Sequence, residues 1–262
     1  MVNISHAPPK RRIALDGREV DLLHYIYSRP DLKQLRGSPS KVISAINDYH
    51  THFNRLMTIG PVKGAFITAL ITERKPCVMI ELGGYVGYSA ILFGDAVRAG
   101  GGKQYLSVEQ NAEMAAVANQ LVDLAGLREH VRVLVGSGSE VLGERIRGWE
   151  EIGAVDMVFI DHEKESYRSD LWLLEGLGVM ARGNPVVVTD NVIWPGAPEY
   201  MEWVQASPEQ KRGIVEKADV GTLMPNADLV YETTVTEFET DFGNGKDGVA
   251  VTKVVGGQRV LN

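Results

Sequence analysis

Three groups of residues in this chain have types and spacings that suit chemistry. The first is Glu81-Leu82-Gly83-Gly84-Tyr85-Val86-Gly87-Tyr88-Ser89, three glycines between a short apolar run and a helical stretch. Missing side chains there let a ligand approach the backbone and the helix N-terminus, although such turns also form where a strand and a helix pack closely. Glu109, at the end of the next apolar run, is placed to accept hydrogen bonds from both hydroxyls of a ribose. The glycines do not follow G-x-G-x-x-G, because position 85 is tyrosine. That disfavours a dinucleotide and leaves a mononucleoside such as S-adenosylmethionine. The second group is Asp161, Asp190 and Asn191, each directly after an apolar run. Hard oxygen donors of this kind suit Mg²⁺. One alone would read as a helix N-cap, whereas three at one edge favour the metal. The third is Lys164, whose charge would be disfavoured beside a divalent cation and a sulfonium, making it a candidate general base. His162, between these, reads as a structural residue satisfied by backbone. Trp194 and Pro195 follow the Asp190-Asn191 pair and sit at the edge of the site.

These residues need elements to bring them together. Short apolar runs, Cys77–Leu82, Gln104–Val108, Val131–Val135, Asp156–Ile160 and Pro185–Thr189, predict five strands alternating with helices. Such alternation implies a parallel sheet covered on both faces. The polar groups then all fall at the C-terminal ends of strands, where open α/β sheets bind ligands. Before the first strand, helices are predicted from about Asp16 to Arg29, from Ser38-Pro39, and from Gly60-Pro61. Further helices should start at Tyr88, cover Met114 to Leu124 with Gly126 as C-cap, and lie around Leu171 to Met180. Residues 1–16 show no periodicity and are expected to be a mobile arm; residues 17–262 are expected to form one domain, with 17–76 as helices over the active site. Past Trp203 the chain is polar until two β-rich runs, Leu229–Thr236 and Val249–Val255, which predict a hairpin at the sheet edge.

Composition narrows the partners. The 27 basic and 34 acidic residues give a net charge of −7, which counts against a nucleic acid or an anionic membrane as principal partner. Cys77 is the only cysteine. It rules out an internal disulfide and a cysteine-based zinc site, and as the first residue of a strand it is expected to be buried and inert. No signal-peptide core and no long apolar run is present, so a cytoplasmic location is expected. No G-x-S-x-G accompanies Ser89, Ser137 or Ser139, which argues against a serine hydrolase.

Taken together, Met57 through Gly64, Glu81 through Ser89, Asp156 through Lys164, and Asp190 through Pro198 resemble the successive motifs of the catechol O-methyltransferase family, in order and nearly in spacing. The similarity runs from about Leu22 to Val255 and is weakest from Gln205 to Leu229. It implies a Rossmann-like methyltransferase fold, a seven-stranded, mostly parallel α/β sheet whose last strands form an antiparallel hairpin. It also implies methyl transfer from S-adenosylmethionine to one hydroxyl of a Mg²⁺-chelated catechol, a small-molecule acceptor. By this resemblance Asp161, Asp190 and Asn191 would hold Mg²⁺, and Lys164 would be the base. Met57, Ile59, Gly83, Tyr85, Tyr88, Ser89 and Glu109 would contact the methyl donor, as would Glu81, Gln110, Ser139, Asp161 and His162. Asn191, Trp194 and Pro195 would border the acceptor, and Glu237, or else Glu239, would bind its second hydroxyl. Arg55 and Glu163 stand where the family has tryptophan walls, which implies either an ion pair closing the pocket or a pocket for a more polar catechol. The rival readings are an S-adenosylmethionine-binding protein without turnover and an NAD-dependent dehydrogenase. No self-complementary face is evident, so a monomer is expected.

Overall fold

The computed structural model describes residues 16–145, 154–182, 185–218, 223–240 and 245–257; the expected N-terminal arm lies almost wholly outside them. Valine is the commonest residue in the strands, where branched side chains pack well on a pleated surface. Among the described residues seven strands form one sheet: β1 (Val78–Leu82), β2 (Gln104–Glu109), β3 (Val131–Val135), β4 (Met157–Ile160), β5 (Val186–Thr189), β6 (Val230–Glu239) and β7 (Lys246–Gly256). Their order is β3-β2-β1-β4-β5-β7-β6. The first five run parallel, and β7 lies antiparallel to both β5 and β6. The sheet therefore has the predicted mixed architecture, with the hairpin at its edge.

Within each central strand alternate side chains enter opposite cores, which is why β1, β4 and β5 read as continuous apolar runs. Met79, Tyr105 and Phe159 face α1 (Arg18–Tyr27), α3 (Pro39–His52), α4 (Gly60–Arg74), α5 (Tyr88–Ala99) and α6 (Ala112–Leu124). Ile80, Leu106, Val158 and Val187 face α7 (Gly138–Arg145), α8 (Tyr167–Gly176) and α10 (Pro198–Gln205). Pro39 and Pro61 sit in the first turns of α3 and α4, where a missing N–H is harmless. Gly126, at φ +75°, closes the end of α6 as expected.

Several elements differ from expectation. A short α2 (Leu32–Leu35) and α11 (Pro208–Val215) were not foreseen. α11 begins with a capping box in which Ser207 and Gln210 exchange side-chain-to-backbone hydrogen bonds. The helix expected around Leu171–Met180 is two, α8 and a short α9 (Val179–Arg182) parted by Gly178 at φ +73°. The hairpin strands extend further into the polar stretch between them than hydrophobicity implied. Cys77 is exposed rather than buried, because β1 begins one residue later. Its N–H donates to Asp156 Oδ2 at 2.7 Å, fixing the chain ahead of the strand.

Strand order reverses between β1 and β4, since β1 leads outward to β2 and β3 while β4 leads to β5. That reversal opens a crevice at the C-terminal ends of these two strands.

Candidate active site

The crevice is a cleft of about 2300 Å³, larger than the roughly 300–1,000 Å³ of a pocket for one small ligand. It has room for two molecules side by side. Its floor is the β1–α5 turn. Gly83 adopts φ +104° and Gly87 φ +87°, conformations that disfavour any residue with a Cβ. A Cβ on Gly83 would lie 2.4 Å from the Asp161 carbonyl oxygen, and one on Gly84 would lie 2.4 Å from Ser107 Oγ. Close strand-to-strand packing thus accounts for the glycines directly, while Gly83, Gly84 and Tyr85 still line the cleft.

Glu109 ends β2 beside this turn. Its two oxygens accept the backbone N–H groups of Tyr85 and Asn111, each at 2.7 Å, so the carboxylate is aimed and still has lone pairs for a ligand. Burial pushes its pKa up, against those hydrogen bonds. Met57, Ile59, Tyr88, Ser89, Gln110, Ser139, Asp161 and His162 line the same cleft. Glu81 does not: it is fully buried beneath the turn, accepting a 2.5 Å hydrogen bond from Ser107. Burial raises its pKa to about 7. Its position in β1 points the side chain into the protein, so the structure places Glu81 behind the cleft wall rather than among the lining residues. His162 is held by a carboxylate rather than by backbone, with Nε2 2.8 Å from Asp170 Oδ2. Its buried Nδ1 has no partner within the protein.

At the other end of the cleft the loops after β4 and β5 bring Asp161, Asp190 and Asn191 together although 29 positions separate the two aspartates. Burial, then the Asp161 charge, push the Asp190 carboxyl up to about 7 against the pull of Lys63. Asp161 is likewise raised by burial, which outweighs Lys164. A buried carboxylate, Asp190, beside a half-buried one, Asp161, calls for a cation. Within the protein Lys63 serves at Asp190 at 2.7 Å, and Lys164 at Asp161 at 3.1 Å. Lys164 Nζ also donates to Tyr167 Oη at 2.5 Å, and that hydroxyl donates on to the Asp190 carbonyl oxygen at 3.2 Å.

The residues fit both groups that the family resemblance implies. Two carboxylates and an amide oxygen are hard donors of the kind Mg²⁺ takes. Among the described residues no group of three or more His, Cys, Asp or Glu could hold a metal, so the amide of Asn191 and oxygens from outside the protein would have to complete the shell. The orphaned His162 Nδ1 and the remaining lone pairs of Glu109 are positioned for a polar nucleoside.

Arg55, Glu163, Trp194 and Pro195 line the same cleft. Glu237 does not line the cleft; its carboxylate pairs with Lys246 at 2.8 Å on the exposed hairpin. Glu239, two residues on, lines the cleft with Phe238 and Thr240. Lys63, Tyr167 and Asp247 were missed by sequence reasoning. Lys63 stands inside the Met57–Gly64 motif, and Tyr167 follows Lys164 by three positions, both available signals; Asp247 falls between the two predicted hairpin runs, where nothing in the sequence marks it.

A family model described as O-methyltransferase matches residues 41–219. The chain belongs to this O-methyltransferase family. Among relatives, the catechol O-methyltransferase of Bos taurus is 34% identical over 171 residues, 65% of this chain and 61% of the relative. That of Sus scrofa is 37% identical over 151 residues, 58% of this chain and 79% of the relative. The transmembrane O-methyltransferase of Homo sapiens is 34% identical over 173 residues, 66% of this chain and 58% of the relative. The chain thus spans less than two thirds of the bovine and human relatives it matches. Among the described residues no helix is long and apolar enough to cross a membrane. Two solved O-methyltransferases share the fold. One from Bacillus cereus, in complex with SAH, has a TM-score of 0.61 at 16% identity, covering 89% of this chain and all of that one. One from Streptomyces achromogenes, in complex with SAM, has a TM-score of 0.58 at 20% identity, covering 82% and 90%.

Proposed function

We propose that this protein transfers the methyl group of S-adenosylmethionine to one hydroxyl of a catechol-type small molecule held at Asp161, Asp190 and Asn191. The observation that carries the reading is the pairing, in one cleft at the strand-order reversal, of a nucleoside-suited end at Glu109 and His162 with the neighbouring carboxylates of Asp161 and Asp190. Family membership and the catechol O-methyltransferase names of several relatives support it. When bound, S-adenosylmethionine would supply the methyl and Mg²⁺ would stabilise charge on the acceptor oxygens.

This chain's residues have defined tasks. Glu109 would accept the ribose hydroxyls, and His162 Nδ1 would meet the nucleoside base. Asp161, Asp190 and Asn191 would supply the metal's oxygen ligands. Lys164 Nζ would take the acceptor proton, its position set by Asp161 and Tyr167. The acceptor end lies close enough to the donor end for positioning to supply much of the rate. Glu239, rather than Glu237, is the side chain available to the second hydroxyl. Arg55 and Glu163 make the acceptor wall charged, which favours a polar catechol, and acidic catechols are expected to be turned over faster than amine-bearing ones. Equal rates on the two would remove Arg55 as a selectivity residue.

The test is calorimetry with S-adenosylmethionine, followed by a methylation assay on a panel of catechols with and without Mg²⁺. Binding with Mg²⁺-dependent turnover is expected. Binding without turnover on any catechol would favour a cofactor-binding protein, and NAD binding in place of S-adenosylmethionine would favour a dehydrogenase.

A further inference from the structure

Asp247, near the start of β7, which lies between β5 and the edge strand β6, reaches Lys63 and Asn191 beside the carboxylate pair. It is 2% exposed, and its hydrogen-bond donors belong to three residues that line the cleft, Lys63, Asn191 and Trp194, and to its strand neighbour Gly248. Its Oδ2 accepts from Lys63 Nζ at 2.5 Å and from Asn191 Nδ2 at 2.7 Å. Its Oδ1 accepts the backbone N–H groups of Trp194 at 2.9 Å and Gly248 at 2.6 Å. One buried carboxylate therefore ties together a metal-ligand candidate, the lysine that neutralises a second candidate, and the backbone of an acceptor-wall residue.

The chemistry of these contacts fixes orientation. A carboxylate only accepts, so the group that Asn191 turns toward Asp247 must be its NH₂, and the amide oxygen is left pointing away for another partner. Asn191 itself stands at φ 58°, a left-handed conformation asparagine tolerates better than most residues. Lys63 bridges Asp190 and Asp247. Without Asp247 its ammonium would have only Asp190 and would compete there with any incoming cation. With Asp247 it has a second acceptor to which it can withdraw.

We propose that Asp247 is a positioning residue for the metal centre: it presents the Asn191 amide oxygen and holds Lys63 so that a divalent cation can take Asp190. This rests on the assignment of Asp161, Asp190 and Asn191 as the metal site.

The test uses the full chain and Mn²⁺ alone as probe, read by calorimetry and electron paramagnetic resonance, with S-adenosylmethionine affinity as the internal control. In Asp247→Asn one oxygen remains for the Trp194 and Gly248 N–H groups, but the amide now opposes both Asn191 and Lys63. Mn²⁺ affinity should fall about 10- to 100-fold, the usual effect of removing a partner that orients a ligand, while S-adenosylmethionine affinity stays within twofold. A folded Asp247→Asn protein whose Mn²⁺ affinity stays within twofold of wild type would overturn the proposal. If that variant does not fold, Lys63→Met carries the test. Removing the competing ammonium should tighten Mn²⁺ binding at least threefold, and unchanged or weaker binding would overturn the role given to Lys63. Wild-type protein that binds no Mn²⁺ in competition with Mg²⁺ would overturn the metal site itself, a result distinct from a failure at Asp247.

Discussion

Lys164 donates to Asp161 and to Tyr167, so acting as a base requires the nitrogen to release a proton while those neighbours keep it in place. Lys164→Ala should lower kcat roughly 10²- to 10⁴-fold, the range for one general base, and leave S-adenosylmethionine affinity unchanged. Full turnover in this variant would remove its assigned role. Asp190→Ala should abolish metal-dependent acceptor binding, measured by titrating the acceptor with and without Mg²⁺. Glu81 offers a test that does not involve turnover. Its pKa rises from 4.5 to about 7 in the fold because of burial, against hydrogen bonds from Ser107 and neighbouring hydroxyls. A group raised on folding stabilises fully below its unfolded pKa and loses that contribution as pH climbs through its folded pKa. Wild type should therefore lose about 3 kcal/mol relative to Glu81→Gln between pH 4.5 and pH 7.5, measured by urea unfolding across that interval. A difference that stays constant with pH would contradict the assignment.

At the scale of elements, the parallel strands and the first helices were legible because apolar runs, prolines and glycines mark them directly. The helix α11 also carried its signature, Ser207-Pro208-Glu209-Gln210, but its polar surface gave no periodicity to draw attention to it. Ser207→Ala removes the side-chain half of the capping box and should destabilise by about 1 kcal/mol, seen as a lower denaturant midpoint. In the β1–α5 turn Gly83→Ala meets both a φ of +104° and a contact 2.4 Å from the Asp161 carbonyl. Because that carbonyl belongs to a proposed ligand, the substitution should weaken Mg²⁺ affinity as well as stability. A variant as stable as wild type with unchanged Mg²⁺ affinity would show that the turn relaxes freely.

Across the whole molecule, sheet order decides which residues meet, and it was only partly legible. Asp161, Asp190 and Asn191 could be placed at one edge because each follows a strand. Lys63 and Asp247 could not be paired, since they lie 184 positions apart on a helix and on β7, and no local spacing encodes that approach. Glu237 and Glu239 could not be separated, because residues two apart on one strand share a face and periodicity treats them alike. Phe93 and Phe159 pack edge to face at 5.3 Å where α5 crosses β4. Phe159→Ala should cost roughly 3–5 kcal/mol in urea unfolding and displace the loop that carries Asp161.

In the proposed reaction a vicinal diol is held through Mg²⁺ at Asp161, Asp190 and Asn191, next to the methyl donor. The most direct test is transfer of labelled methyl from S-adenosylmethionine to a catechol and to its single-hydroxyl analogue, with Mg²⁺ and with a chelator. Label is expected on the catechol alone, falling to background when Mg²⁺ is removed. Equal labelling of the single-hydroxyl analogue, or transfer undiminished by the chelator, would contradict that reaction.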